Sequence, residues 1–304
     1  MEMDRETGAL LPAMMDARNA FMELVDELRP ELHRYCARMT GSVLDGEDVV
    51  QETLAKAYYA LGQMIEPPNL RPWLFRIAHN TAMDFLKRYE RKHVDVVPDV
   101  PDRAEPEESG VDPELVEAAL AVFLELPPVQ RSAIILKDVL GQSLEDTAAT
   151  MGTSIGAVKA ALSRARTNVM RTPIPSLAHP AKPVSAEAHA MLQQYVRLFN
   201  DRNWDGLRAL LAEEARLDIV SRFQRRVSDA GYYDRYAEIL ATEDLRAEAG
   251  VVDGIPAIAI FNPASGTLPA YFILIESSRG KIARIRDFRY VSYIAADARF
   301  SRSY

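Results

Sequence analysis

Two proline-rich stretches constrain this chain more than any other feature, because no helix can run through either of them. Residues 94–114 read VDVVPDVPDRAEPEESGVDPE, rich in proline and acid and without a repeating apolar face, the pattern of an extended linker. Residues 171–183 read RTPIPSLAHPAKP, whose four prolines exclude a continuous helix. At 304 residues a chain of roughly two to three domains is expected. The breaks place them: a helical section over 12–93, a linker over 94–112, a second helical section over 113–171, a proline-rich linker over 172–184, and a third section over 185–304. That third section opens with helical patterns, SAEAHAMLQQYVRLFNDRNWDGLRALLAEEA. It closes with strand-like runs: IPAIAIFNP, LPAYFILIES and, after the turn Ser278-Arg279-Gly280, KIARIRDFRYVSYI. Helices first and strands afterwards predict an α+β domain.

Bulk composition excludes several classes. No apolar run approaches the roughly 20 residues that span a bilayer, and the opening MEMDRETGALLPAMMDARNA lacks the basic start of a secretory signal. A single cysteine, Cys36, rules out an internal disulfide framework and fits a reducing compartment. A cytoplasmic protein without membrane attachment is expected. The formal net charge of −8 disfavours nucleic-acid binding driven by total charge. Any contact with DNA must therefore rely on local charge or on a partner that supplies most of the affinity.

Local charge is present in SLEDTAATMGTSIGAVKAALSRARTNV, which has the pattern of a helix-turn-helix. Leu144, Thr147, Ala148 and Met151 share one face of a first helix, Gly152 suits a left-handed helix end, and Ser154 is placed to cap the second helix. There Ile155, Val158, Leu162, Ala165 and Val169 recur at the spacing of a buried stripe. Lys159, Ser163 and Arg166 lie opposite, with Arg164 alongside, and these residue types contact phosphates and guanine edges. Taken alone, the pattern also describes an ordinary helical hairpin with a solvated basic face.

The first helical section adds two motifs. DGEDVVQETLAKAYYAL sets Asp48, Gln51 and Glu52 at neighbouring helical positions. NLRPWLFRIAHNTAMDFLKRYERK interleaves Trp73, Phe75, Ile77 and Phe85 with bases, a composition that suits single-stranded DNA. For Trp73, Phe75 and Phe85 individually, burial in a core is the better expectation.

These motifs, together with LPPVQRSAIILKDVLGQSLEDTAATMGTSIGAVKAALSRAR and the acidic linker, resemble an extracytoplasmic-function RNA polymerase sigma factor over nearly all of residues 15–171. The resemblance implies two all-α sigma domains, a cytoplasmic factor for transcription initiation, and core RNA polymerase and promoter DNA as partners. Asp48, Gln51 and Glu52 would meet the β′ clamp helices, and the second sigma domain the β flap. The loop GQMIEPPNLR and the following helix, with Asn69, Arg71, Trp73, Arg76, Asn80, Lys87 and Arg88, would open and read the minus-ten element. Ser154, Lys159, Ser163, Arg164 and Arg166 would read the minus-thirty-five duplex. A sigma factor borrows affinity from its core enzyme, which reconciles DNA binding with an acidic chain.

Residues 185–296 resemble a SnoaL-like domain of the nuclear-transport-factor-two-like fold, a cone of curved sheet and helices. Sigma factors with such an extension imply regulation in cis, a possible small-molecule ligand, and no dedicated anti-sigma factor. One group of them has Trp-Leu-Pro-Glu-Pro and Asp-Gly-Gly-Gly-Lys motifs. Here the corresponding stretches read Pro173-Ile174-Pro175 and Ile219-Val220-Ser221-Arg222-Phe223-Gln224-Arg225, so that group's regulation is not transferred.

Strand alternation puts Ile285, Asp287 and Arg289 on one side, which makes Asp287 a candidate pocket carboxylate or, more simply, the partner of a neighbouring arginine. Tyr236 and Arg289 join it as possible pocket residues, and Tyr232 and Tyr233 are further candidates for the opening. No partner acid, base or oxyanion donor accompanies Asp287, so no enzymatic activity is expected. His33 and Cys36 lack a second ligand pair, and no nucleotide fingerprint is visible, so no metal and no cofactor are expected. His79 fits either a DNA contact or packing. Two rival readings remain: a one-component regulator that binds duplex operators unaided, and a SnoaL-like isomerase or hydrolase fused to a DNA-binding module.

Overall fold

The structure, a computed structural model, describes residues 23, 25–61, 63, 69–92, 121–171, 185–220, 225–227, 229–264 and 266–302. The expected linkers over 94–112 and 172–184, and residues 62 and 64–68 of the expected minus-ten loop, lie outside the described residues. Among the described residues no helix is long and apolar enough to cross a membrane. They fall into two compact units.

The first unit is helical. It contains α1 (residues 25–40), α2 (Val43–Leu61) from Asp45 onward, α3 (Leu70–Lys92), α5 (Pro128–Ile134), a π-helical turn (Ile135–Val139), α6 (Leu144–Met151) and α7 (Ile155–Arg171). Apolar residues three and four apart bury one face of each long helix: Leu32, Tyr35, Cys36 and Met39 on α1, Val50, Leu54 and Ala57 on α2, and Phe75, Ala78 and Ala82 on α3. α3 also packs along α5 and α6.

The hairpin α6–α7 follows from short-range chemistry. Ser143 caps α6 by accepting from the Asp146 N–H at 2.9 Å. Gly152 ends it in the left-handed region at φ 64°, a conformation that costs glycine nothing. Ser154 then accepts from the Ala157 N–H at 3.2 Å, capping α7. Ala133, Ala148, Val158, Ala161 and Leu162 form the core beneath. The expected buried stripe holds at Val158, Leu162 and Ala165, but Ile155 and Val169 are 37% and 40% exposed. Both lie near helix ends, where α7 extends past the small core that supports its middle.

The second unit is α+β, as expected, with residues 41–44 and the helix α4 (described over 121–124) counted in it. Its main elements are α8 (Ala186–Asn200), α9 (Trp204–Leu210), β1 (Leu211–Ile219), β2 (Arg225–Val227), α10 (Asp229–Leu240), β3 (Arg246–Val252), β4 (Ile255–Phe261), β5 (Tyr271–Ser278), β6 (Lys281–Asp287), α11 (Tyr293–Asp297) and β7 (Phe300–Ser301). The strands form one seven-stranded sheet in the order β2-β1-β6-β5-β4-β3-β7. The β1–β6 pair is parallel, and the others are antiparallel.

Two sequence expectations change here. Residues 211–215 continue a helical pattern in sequence yet begin β1, because Leu211 and Leu217 pair with Ile282 and Ile285 of β6. The last strand-like run stops at Asp287, and Tyr293–Asp297 is a short helix. The core between sheet and helices is aromatic: Tyr195, Phe199, Tyr232, Tyr233 and Tyr236 are fully buried. The Phe199 and Tyr236 rings meet edge to face with centroids 5.3 Å apart.

Candidate nucleic-acid and polymerase interface

α7 presents the first candidate surface. Lys159, Ser163, Arg164 and Arg166 are all exposed, as is the capping Ser154. Lys159, Ser163 and Arg166 line a concavity of about 550 Å³ together with Lys137 and Thr167, over a floor that includes Leu144 and Leu162. Arg164 is on the adjoining arc and is not part of that lining. Arg166 pairs with Asp138 of the π-helical turn at 3.0 Å, an exposed contact of little energetic weight that leaves the side chain available to a phosphate. Lys137 was not anticipated. It precedes the helix-turn-helix pattern and reaches the concavity through the π-helical turn, which has no signature in local sequence.

α3 carries the second. Asn69 is exposed at its start, and its carbonyl accepts from the Trp73 N–H at 3.2 Å. Arg71 pairs with Glu31 of α1 and lies 5.4 Å from the Phe75 ring centroid. Phe75 is fully buried, whereas Trp73 and Phe85 are only half-buried at the edge of the helical core. Arg76 and Asn80 are exposed on one face. Lys87 stands 3.9 Å from Asp84, and Arg88 reaches across to Glu52 of α2 at 3.0 Å.

On α2, Asp48 and Gln51 are half-buried. The Gln51 amide donates to Glu47 at 2.9 Å, and Glu47 is itself buried in an ion pair with Arg29. Glu52 accepts from both Lys56 and Arg88, at 2.8 and 3.0 Å. Partial burial pushes its carboxyl up, but these two cations outweigh it and hold the pKa below the usual carboxylate value. Two expected sites, one for polymerase and one for DNA, are therefore joined by the Glu52–Arg88 pair.

His79 does not face solvent. Its Nδ1 lies 3.0 Å from the Tyr35 hydroxyl and 3.0 Å from the Ser132 hydroxyl, which are 2.9 Å from each other. The three groups form a buried triangle that joins α1, α3 and α5. Burial pushes the imidazole pKa down to about 4 and the Tyr35 phenol up, so both are neutral at pH 7. Arg131, next to Ser132, donates to the carbonyls of Met39 and Leu126 and extends the seam. Alongside it, a Cβ placed on Gly152 would be 3.8 Å from Arg76 Nη2, so the turn of the helix-turn-helix lies next to a candidate promoter-reading cation. Sequence reading missed Tyr35, Ser132 and Arg131, because each looks like an ordinary helical residue until the helices meet.

In the α+β unit, Asp287 is fully buried at the end of β6. It accepts from the Tyr236 hydroxyl at 2.8 Å and from the Arg289 backbone N–H at 2.9 Å, and the Arg289 Nε is 3.2 Å away. The structure thus brings together the three residues expected to line a pocket. Tyr232 and Tyr233, expected at an opening, are instead fully buried in the aromatic core. Asp218 of β1 was not singled out. It is also buried, between Arg216 at 2.8 Å and Arg284 at 2.9 Å. Among the described residues no cluster of His, Cys, Asp and Glu is arranged to hold a metal.

Comparison with known proteins matches this geometry to a class. The family model for sigma-70 region 2 matches residues 24–92, and that for sigma-70 region 4 matches residues 117–169. The helical section thus matches regions 2 and 4 of a sigma-70-type transcription factor. SigG, an ECF RNA polymerase sigma factor of Mycobacterium tuberculosis, is 29% identical over 304 residues, covering 90% of this chain and 82% of SigG. SigM of the same organism, another ECF RNA polymerase sigma factor, is 30% identical over 173 residues, covering 55% of this chain and 85% of SigM. The chain belongs to the extracytoplasmic-function RNA polymerase sigma factors.

Among solved structures, the sigma factor RpoE from Bartonella quintana is 28% identical with a TM-score of 0.40, covering 50% of this chain and 94% of that one. RpoE was solved in complex with the anti-sigma factor NepR.

Proposed function

We propose that this sigma factor directs core RNA polymerase to its promoters through three surfaces of the helical section. Asp48, Gln51 and Glu52 of α2 meet the β′ clamp helices. Asn69, just before α3, and Arg71, Trp73, Arg76, Asn80, Lys87 and Arg88 of α3 read the opened minus-ten element. Ser154, Lys159, Ser163, Arg164 and Arg166 read the minus-thirty-five duplex, and the same domain docks on the β flap. The section over 12–93 does the first two tasks and that over 113–171 the third, acting in the cytoplasm. The section over 185–304, SnoaL-like in its order of helices and strands, modulates them in cis without catalysing a reaction. The observation that carries the reading is the exposed basic face of α7, held outward by an apolar core on a hairpin with capped turns.

Closure of the free protein belongs to the same reading. The Tyr35–His79–Ser132 triangle holds α5 against α1 and α3, and the turn at Gly152 lies beside Arg76. Reading the minus-ten strand requires region 4 to move off α3, and core polymerase supplies the energy for that movement. Replacing Ser132 by Ala in the full chain leaves His79 with one fewer partner and weakens the closed state by about 1–2 kcal/mol. Affinity for a fluorescent minus-ten single strand, measured without polymerase, should then rise several-fold, and an unchanged affinity would count against closure.

The assignment itself rests on core-enzyme binding. Full-length protein and a chain ended after residue 172 should both bind purified core RNA polymerase, and the ratio of their affinities reports the influence of residues 173–304. If neither binds, the one-component regulator becomes the better reading.

A further inference from the structure

The α+β unit buries more hydrogen-bond donors than its own acceptors use. Arg289 is 4% exposed at its side chain, and none of its three guanidinium nitrogens has a hydrogen-bond partner among the described residues, Nε meeting Asp287 only as an ion pair at 3.2 Å while Nη1 and Nη2 are left over. Its guanidinium carbon lies 4.5 Å from the Tyr236 ring centroid and 5.4 Å from that of Tyr232, so aromatic faces flank it. Asp287, the carboxylate beside it, is already engaged by the Tyr236 hydroxyl, the Arg289 backbone and the Arg289 Nε. The hydroxyls of Tyr195, Tyr232 and Tyr271 are buried nearby without a close hydrogen-bond partner, their weaker contacts being with one another and with the hydroxyls of Tyr233 and Tyr236. All three feel the charge of Asp287, which adds to burial in pushing their phenols up. They are protonated and able to donate at any physiological pH.

Burial works against the charge of Arg289, but Asp287 and the neighbouring tyrosines more than restore it, so the guanidinium remains cationic. A buried guanidinium with open N–H groups is costly unless something supplies acceptors. The required chemistry follows from what is left over. The surplus is of donors in a planar fork, with phenolic hydroxyls around it, and the walls are rings. A carboxylate offers two acceptor oxygens in the plane that the Arg289 fork matches. A neutral amide of the same shape would bring N–H groups into a site that already has too many.

We infer that the interior of this domain binds a small ring-bearing organic acid as its carboxylate, held by the Nη1 and Nη2 of Arg289 and by the hydroxyls of Tyr195, Tyr232 and Tyr271. The inference deepens the reading of this domain as a cis-acting regulator by naming the class of molecule it senses. Asp287 is a positioning residue here. It holds Arg289 and Tyr236 and does not touch the ligand.

The test titrates full-length protein with benzoate, cyclohexanecarboxylate and 1-naphthoate, with benzamide as the neutral counterpart of benzoate, using calorimetry and thermal melting. At least one carboxylate should bind saturably and raise Tm, while benzamide at the same concentrations should do neither. Tyr271→Phe removes a single hydroxyl and should weaken binding about fivefold or more, and Arg289→Lys should abolish it. Should Arg289→Lys fail to fold, the benzoate–benzamide contrast and Tyr271→Phe still decide the question. Saturable binding by none of the three acids, equal binding of benzamide, or full affinity in Tyr271→Phe would overturn the proposal. Because binding is read without polymerase or promoter, its failure is distinct from failure of cis regulation, which is read as promoter output with and without residues 173–304.

Discussion

The two units treat charge in opposite ways. α7 projects Lys159, Arg164 and Arg166 into solvent over an apolar base, and Arg166 pairs with a surface aspartate. The α+β unit takes Arg289 and Asp287 inside, seats them among tyrosine rings and leaves donors unspent. Exposed cations cost little to keep and are well suited to a polyanion that arrives with its own counterions to release. Buried ones demand exact accounting, because each unmatched group carries the full cost of desolvation. One region therefore keeps its charge where solvent screens it, and the other keeps it where hydrogen-bond pattern decides its cost.

The sharpest way to break that contrast is to remove the buried anion. Asp287→Ala leaves Arg289 uncompensated and strips the partner from Tyr236. We expect a loss of about 3–5 kcal/mol from the stability of the α+β unit, measured by urea unfolding followed through tyrosine and tryptophan fluorescence. A loss under about 1 kcal/mol would mean that the pair is far more solvated than its burial indicates.

An intermediate effect should come from acid. His79 has a pKa of about 4 in the folded protein, against the ordinary 6.5, so the unfolded or opened chain binds its proton first. The stabilisation is complete above pH 6.5 and is lost as the pH falls from 6.5 towards 4, by about 3 kcal/mol in all. The groups facing the ring are the hydroxyls of Tyr35 and Ser132, neither of which changes charge in that window. Unfolding free energies taken across the window should fall in the parent protein and flatten in His79→Gln.

The smallest effect on stability belongs to α7. Lys159→Ala should leave the melting curve within about 0.5 kcal/mol of the parent. It should nevertheless reduce by about one the salt slope of minus-thirty-five binding by the assembled holoenzyme. A change in stability without a change in slope would move Lys159 from the DNA surface into the fold.

Legibility in the sequence followed distance along the chain. The helix-turn-helix could be read because its determinants are local: Ser143, Gly152 and Ser154 act within three or four residues of themselves, through caps and a left-handed turn. Its exposed cations follow from the same helical period, as does the burial of Val158 and Leu162 between them. β1 was misread because its first residues follow a helix without a break and are strand only through pairing with β6, more than sixty residues later. Tyr232 and Tyr233 were misplaced for a related reason. Tyrosines suit an opening as well as a core, and only the rings packed against them decide which.

By itself, then, the sequence determined where the α6–α7 hairpin turns and which of its residues face outward, since capping and helical period act over a few residues. Only the tertiary structure decided that His79 is a buried joint, because its partners Tyr35 and Ser132 are 44 and 53 residues away. The pairing of Asp287 with a neighbouring arginine was legible in the sequence, whereas its full enclosure came from tertiary packing, through a tyrosine 51 residues upstream of the aspartate. Desolvation is a property of the assembled neighbourhood, and it exists only after distant segments have closed around the group.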